Sequence, residues 1–133
     1  MNSIQKETIK LYSRQLIVPT FNNYEKIIRQ LSPDDGYEQF LIELMKQEVA
    51  ERSVTGQKRR IKAAKFPSLK TLDEFDMTRL ENVSESTIRQ LASCDFIKQR
   101  QNIVMIGNPG SGKTHLSIAL GMNACEAGYR VKF

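Results

Sequence analysis

The chain has 133 residues, of which 40% are hydrophobic and 26% are charged, and its formal net charge is +5. This length suits one ordinary domain rather than two large ones, and the composition is typical of a soluble globular protein. No apolar run approaches the roughly 20 residues that cross a bilayer, and the N-terminus lacks the apolar core of a secretory signal, so we expect a cytoplasmic protein with no membrane association.

The N-terminal part predicts three helices. Apolar spacing favours one from residue 3 to about 17, with Ile4, Leu11 and Leu16 as inward positions and Pro19 as the stop. A second is expected over about 22–31, followed by a turn and a longer helix that starts at Tyr37. The apolar residues expected on one face of the third helix are Phe40, Leu41, Leu44, Met45 and Val49.

A basic stretch follows from residue 52 to 70, with seven positive charges and no acidic residue. Its +7 exceeds the +5 of the whole chain, so the excess charge is concentrated here. A solvated helical face explains such a run equally well. The absence of acidic residues and the phosphate-binding motif downstream, described below, favour a polyanion partner. Without interleaved aromatic residues, backbone contact with duplex DNA is the better prediction than base stacking. The residues that we predict to contact DNA are Arg52, Lys58, Arg59, Arg60, Lys62 and Lys65.

The next segment leads to a phosphate-binding motif. Phe66-Pro67 is expected to end the basic helix, and Ser84 is a plausible N-cap for a further short helix. The apolar run 103–106 is suited to a strand buried on both faces, and residues 116–127 read as a helix. Between them the chain matches the pattern G-x-x-x-x-G-K-[ST]. The matching residues are Gly107, Asn108, Pro109, Gly110, Ser111, Gly112, Lys113 and Thr114.

The motif can bind phosphate because a strand, a glycine-rich turn and a helix follow one another in this order. Glycines let the backbone approach a phosphate chain, and the amide hydrogens and helix dipole form an anion site. Lys113 can reach the β- and γ-phosphates of ATP, and the Thr114 hydroxyl can ligate Mg²⁺. Cys94 and Cys125 lack metal-ligand spacing, and His115, the single histidine, is expected to be an ordinary early helix residue without a catalytic role.

These elements predict an α + α/β protein. We expect residues 1–65 to form a small helical N-terminal domain and residues 66–133 to contain the first strand, P-loop and helix of a parallel-sheet P-loop NTPase. Apolar and polar residues alternate over 129–133, as at the start of a second strand. The acids that complete Mg²⁺ binding and hydrolysis normally lie further along such a chain. We therefore expect the N-terminal part of a longer protein, the alternative being a naturally short chain completed by a partner, and we assign no catalytic residue.

The chain resembles the IstB-like family of ATP-binding transposition helpers, AAA+ ATPases related to the DnaC helicase loaders. The resemblance covers roughly residues 37–133 and is carried by five short stretches. They are Ala64-Lys65-Phe66-Pro67, the run from Lys70 to Asp76, Leu91-Ala92 with Asp95-Phe96-Ile97, the run from Gly107 to Gly121, and the run from Ala124 to Phe133.

The resemblance implies an ATP-dependent homo-oligomer on duplex DNA that assists a transposase, with Gly107 to Thr114 as its Walker A loop. Counterparts of the family's Walker B acids, sensor residues and arginine finger are absent from this sequence, which leaves its ATPase activity open. Two other functions remain: a DnaC-like helicase loader in DNA replication, and a non-enzymatic DNA-binding fragment. The partner that the N-terminal helices bind, a transposase or a helicase, would distinguish the transposition helper from the helicase loader.

Overall fold

The computed structural model describes residues 3–133 and consists of helices joined by turns and irregular segments. The α-helices are α1 (Ser3–Gln15), α2 (Tyr24–Gln30), α3 (Tyr37–Ala64), α4 (Glu85–Ala92), α5 (Asp95–Lys98) and α6 (Lys113–Glu126). Two 3₁₀ helices span Pro19–Asn23 and Met77–Arg79. None of the helices described over residues 3–133 combines the length and apolar character needed to cross a membrane.

The chain divides into two compact units, Met1–Thr55 and Gly56–Phe133, and α3 contributes residues to both. The three N-terminal helices occur where the sequence predicts them. Helix α3 runs unbroken through Gly56 and ends at Ala64, after which Lys65 takes the left-handed conformation with φ of 57°. The domain division predicted at residues 65 and 66 remains a prediction.

The first unit is organised around the buried side chains of Tyr24, Ile27 and Leu44. Partly buried Ile9, Phe21 and Phe40 pack against them, so α1, the 3₁₀ helix, α2 and α3 each contribute to this core. Ile27 is only 1% exposed.

The inward face predicted for α1 is wrong. Ile4, Leu11 and Leu16 are between 50% and 70% exposed, whereas Ser13 is buried and Ile9 meets the core, one helical turn apart. The prediction for α3 holds for Phe40 and Leu44 but fails for Leu41, Met45 and Val49, which lie more than half exposed. The apolar face of α3 is wider than the core that it packs against, so some of its apolar residues remain in solvent.

Glu48 of α3 is the charged residue that fixes the chain leading into α2. It is 7% exposed, and its Oε2 accepts hydrogen bonds from the hydroxyl and the backbone N–H of Thr20. Its Oε1 accepts from Arg52 Nε at 3.0 Å. These donors, led by the Thr20 hydroxyl, lower the pKa of the Glu48 carboxyl.

Loss of the Glu48 charge should therefore destabilise the chain. A carboxyl whose pKa is lower in the folded state stabilises folding above its unfolded pKa, near 4.5, and loses this contribution as the pH falls through the folded pKa. We expect Glu48→Gln to lower the free energy of unfolding at pH 7 by about 1–2 kcal/mol and to flatten its decline in acid. Urea denaturation followed by circular dichroism from pH 7 to pH 3 measures both. Glu51→Gln, at an exposed position of the same helix, is the control, and equal stability of the two variants would contradict the assignment.

The second unit packs α4 and α6 around Phe75, Ile88, Leu116 and Leu120. Ser84 caps α4, as predicted, with its hydroxyl accepting from Thr87 N–H at 3.3 Å. Partly buried residues surround this core, and they are Leu72, Met77, Leu80, Leu91, Ala92, Ile103 and Met105.

Helix α6 is the most deeply buried element of this unit. Ala119 and Cys125 are fully buried and Ile118 is 1% exposed. Cys125 is a free thiol, and burial raises its pKa, so it remains protonated and unreactive.

The strand predicted over 103–106 is not formed in the part of the chain that the structure describes, and neither is the one predicted over 129–133. Ile103 and Met105 pack against the core, but Val104 is 81% and Ile106 94% exposed, so the segment is not buried on both faces. A strand requires a neighbour whose N–H and C=O groups pair with its own, and residues 3–133 supply none to these segments.

Candidate nucleotide-binding site and basic helix face

The loop of residues 107–114 turns directly into α6. Gly110 and Gly112 have φ of 80° and 96°, which is the left-handed region that residues with a Cβ rarely adopt. Gly112 is the N-cap of α6, and its carbonyl accepts the N–H of Leu116 at 2.9 Å. The helix thus begins at Lys113, three residues earlier than predicted, and its first N–H groups point into the loop.

The side chains of the loop converge on its centre. Lys113 Nζ donates to the carbonyl of Gly107, which holds the ammonium group over the turn. Ser111 Oγ is buried and makes no hydrogen bond within residues 3–133. It also lies 2.8 Å from the position that a Cβ on Gly107 would occupy, so a side chain at residue 107 would displace this hydroxyl. An unsatisfied buried hydroxyl and an ammonium at the same turn are suited to an anion.

A cleft of about 830 Å³ opens beside this loop, within the second unit. Its lining includes loop residues from Gly107 to Lys113 and, from a separate segment, Phe75, Thr78, Arg79 and Leu80. This volume is in the range of ordinary small-ligand sites, and the lining combines polar groups with the apolar side chains of Phe75 and Leu80. A nucleotide could place its phosphates on the loop and its nucleoside in the cleft.

Two contacts connect the cleft wall to α6. His115 Nε2 lies 2.9 Å from the carbonyl oxygen of Thr71, and the rings of His115 and Phe75 meet edge to face at 5.3 Å and 76°. Phe75 in turn lies 2.9 Å from the position of a Cβ on Gly112. The sequence does not predict these contacts of His115, because Phe75 and Thr71 lie 40 and 44 residues away in the chain and no local pattern indicates them.

The loop also fits Mg²⁺ as the partner of a bound triphosphate. Thr114 is exposed at the first turn of α6, where its hydroxyl could serve as one oxygen ligand, with phosphate oxygens and waters supplying others. Within the described residues, no group of three or more His, Cys, Asp or Glu side chains could hold a metal by itself. A magnesium ion here would depend on the nucleotide.

The structure separates the six predicted DNA-contacting residues into two groups. In the part of α3 that belongs to the second unit, Gln57, Arg60 and Ala64 face α6 and the C-terminal segment. Gln57 Nε2 donates to the Glu126 carbonyl at 3.4 Å, and the Ala64 carbonyl accepts from Phe133 N–H at 3.0 Å. Arg60 Nε donates to the Cys125 carbonyl at 2.7 Å, near the end of α6, and this carbonyl also accepts the N–H of Gly128 at 3.2 Å.

The remaining basic residues of this segment face solvent. Lys58, Arg59 and Lys62 lie within an arc of about 100° on α3, at 100° per residue, and Lys65 follows directly after the helix. All four are exposed, and within residues 3–133 none of them forms an ion pair. We call Lys58, Arg59, Lys62 and Lys65 the basic face.

Arg52 belongs to the first unit and is held there by other groups. Its Nε pairs with Glu48 at 3.0 Å, and its Nη2 donates to the carbonyl of Ile17 at 2.7 Å. Arg52 and Arg60 thus have structural partners, whereas the basic face has none among the described residues.

Comparison with known proteins identifies the chain by its sequence. The family model for IstB-like ATP binding protein matches residues 15–133. A protein from Pseudomonas aeruginosa, named as an ATP-binding protein of insertion sequence IS21, is 38% identical over 110 residues, which are 82% of this chain and 42% of that protein. Another from Geobacillus stearothermophilus, named for insertion sequence IS5376, is 35% identical over 130 residues, or 96% of this chain and 52% of the relative.

The chain spans about half the length of these two curated relatives. The family match includes the glycine-rich loop, the cleft and the basic face described above. The predicted resemblance is therefore confirmed, and the chain belongs to the family of IstB-like ATP-binding proteins.

Proposed function

We propose that this chain binds Mg²⁺-ATP through residues 107–114 and duplex DNA through the basic face, as an ATP-binding helper of DNA transposition that acts with a transposase. The relatives are named as ATP-binding proteins of insertion sequences, which supports the association with transposition. Family membership also supports an AAA+ fold for the second unit and assembly as a homo-oligomer in the full-length protein.

The loop carries this proposal. Gly110 and Gly112 adopt positive φ, Ser111 presents a buried hydroxyl without a partner, and Lys113 crosses the turn above the N-terminus of α6. These groups converge beside a cleft that is large enough for a nucleoside. Backbone N–H groups, a positive helix end and an ammonium are the features that bind a polyphosphate.

The partner is tested by capture. The full chain is immobilised and offered the transposase of insertion sequence IS21 and, separately, a bacterial replicative helicase. Retention of the transposase alone is expected. Retention of the helicase alone would instead support a helicase loader, the runner-up function.

ATP turnover by this chain alone should be negligible. Hydrolysis needs a residue that orients the attacking water and acids that complete Mg²⁺ coordination. Glu81 is the one acidic residue among those that line the cleft. We expect phosphate release no faster than that of Lys113→Ala, measured with the full chain at saturating Mg²⁺-ATP. Release well above that control would contradict the prediction and indicate a catalytic acid within these residues, with Glu81→Gln as the variant to test.

A further inference from the structure

The segment of residues 71–80 contributes one wall of the cleft and packs on the core of its unit through apolar side chains, which are Leu72, Phe75, Met77 and Leu80. Phe75 N–H donates to the Leu72 carbonyl at 3.1 Å, and the Asp76 carboxylate accepts from Thr78 N–H at 3.0 Å. These bonds shape residues 71–80 internally but do not fix the distance between this segment and the phosphate-binding loop. That distance determines whether a nucleoside fits.

His115 provides the polar connection. Because a carbonyl oxygen can only accept, the contact at 2.9 Å means that His115 Nε2 carries the proton and donates to Thr71. Within residues 3–133 this is the hydrogen bond that joins the segment to α6. His115 follows Lys113 and Thr114 directly, so the wall is tied to the same helical turn that carries the predicted phosphate and magnesium contacts.

Phe75 completes the connection by packing. Its ring is buried in the core, meets the His115 ring edge to face, and closely approaches Gly112. Edge-to-face pairs of this kind add a modest attraction to the burial of the rings. Phe75 also lines the cleft, so a shift of His115 would move a residue that the nucleoside contacts.

We propose that His115 is a positioning residue for the nucleoside, which holds the cleft wall of residues 71–80 against the phosphate-binding loop. The inference rests on the proposed ATP binding, and it assigns His115 no contact with the phosphates. Its removal should weaken the binding of ATP and leave the binding of a bare polyphosphate chain unchanged. A residue needed only for folding, or for the loop itself, would affect both ligands.

The test compares Mg²⁺-ATP with Mg²⁺-tripolyphosphate by isothermal titration calorimetry on the full chain. We expect His115→Ala to lower ATP affinity about three- to tenfold, since one hydrogen bond and its packing are lost, with tripolyphosphate affinity within about twofold of wild type. His115→Gln, which keeps a side-chain donor for the Thr71 carbonyl, should recover most of the ATP affinity. Asn123→Ala, further along α6, is the control for helix substitution.

Two results would overturn the inference while leaving ATP binding established. One is unchanged ATP affinity in His115→Ala, and the other is an equal loss for ATP and tripolyphosphate. Failure of the wild-type chain to bind either ligand would refute the proposed ATP binding, and this inference with it. Hydrogen exchange gives a reading without nucleotide: the amides of Phe75, Arg79 and Leu80 should exchange faster in His115→Ala and at the wild-type rate in His115→Gln.

Discussion

Lys113→Ala should abolish measurable ATP binding, with a loss of affinity of about a hundredfold, because one ammonium group supplies charge-assisted hydrogen bonds to the phosphates. The Lys113 side chain is already held over the loop by the Gly107 carbonyl, so it needs little rearrangement to reach a phosphate bound there. The fold should survive, because Lys113 is not among the buried residues of α6. Calorimetry with Mg²⁺-ATP measures the first effect, and circular dichroism measures the second.

Lys98→Ala is the matched control for Lys113→Ala. Lys98 is an exposed lysine of the same unit, at the end of α5, and its replacement removes the same charge without touching the loop. ATP affinity should be unchanged in this control. If both variants bound ATP as tightly as the wild type, the loop would not be the nucleotide site.

The loop could be predicted from sequence because its requirements are local. Gly110 and Gly112 supply backbone angles, Lys113 supplies charge, and all three lie within a few residues of the helix that they precede. The N-cap at Ser84 was predictable for the same reason. The Ser111 hydroxyl and the contacts of His115 were not, because they depend on how the chain folds back on itself.

The errors in the fold have a similar origin. Apolar spacing places Leu11 and Ile9 on α1 equally well, and only the position of α2 and α3 decides that Ile9 is buried. Likewise, the run 103–106 has the composition of a strand, but strands form by pairing with neighbours that can be distant in sequence. The apolar pattern therefore indicates that such a segment can form a strand, but it does not show that a pairing neighbour is present within these residues.

Only the structure distinguishes the exposed basic residues of α3 from those that have structural partners. The sequence treats Arg59 and Arg60 alike, since they are adjacent members of one basic run. In the structure Arg59 is exposed, whereas Arg60 donates to the carbonyl end of α6. An arginine in that position stabilises the helix end, so its removal would lower stability as well as charge.

We therefore expect the basic face, without Arg52 and Arg60, to account for DNA binding. Simultaneous replacement of Lys58, Arg59, Lys62 and Lys65 with alanine should remove most of the affinity of the chain for duplex DNA. Three or four neutralised phosphates predict a slope of log affinity against log salt of about −3 to −4 in the wild type and near zero in the variant. Binding should be nearly independent of DNA sequence, because phosphate contacts do not read bases. Alanine favours the helix, so α3 should persist.

Gel-shift titrations of an arbitrary duplex at two salt concentrations measure affinity and slope together. The control replaces four exposed cations outside the basic face, Lys10, Arg14, Lys98 and Arg100, with alanine. Both variants lower the formal charge from +5 to +1, so a general electrostatic effect would weaken them equally. A loss confined to the basic-face variant supports a defined DNA-contacting surface, because only the position of the charges differs between the two. Equal affinities and slopes in the two variants would show that the basic face is merely a solvated side of α3.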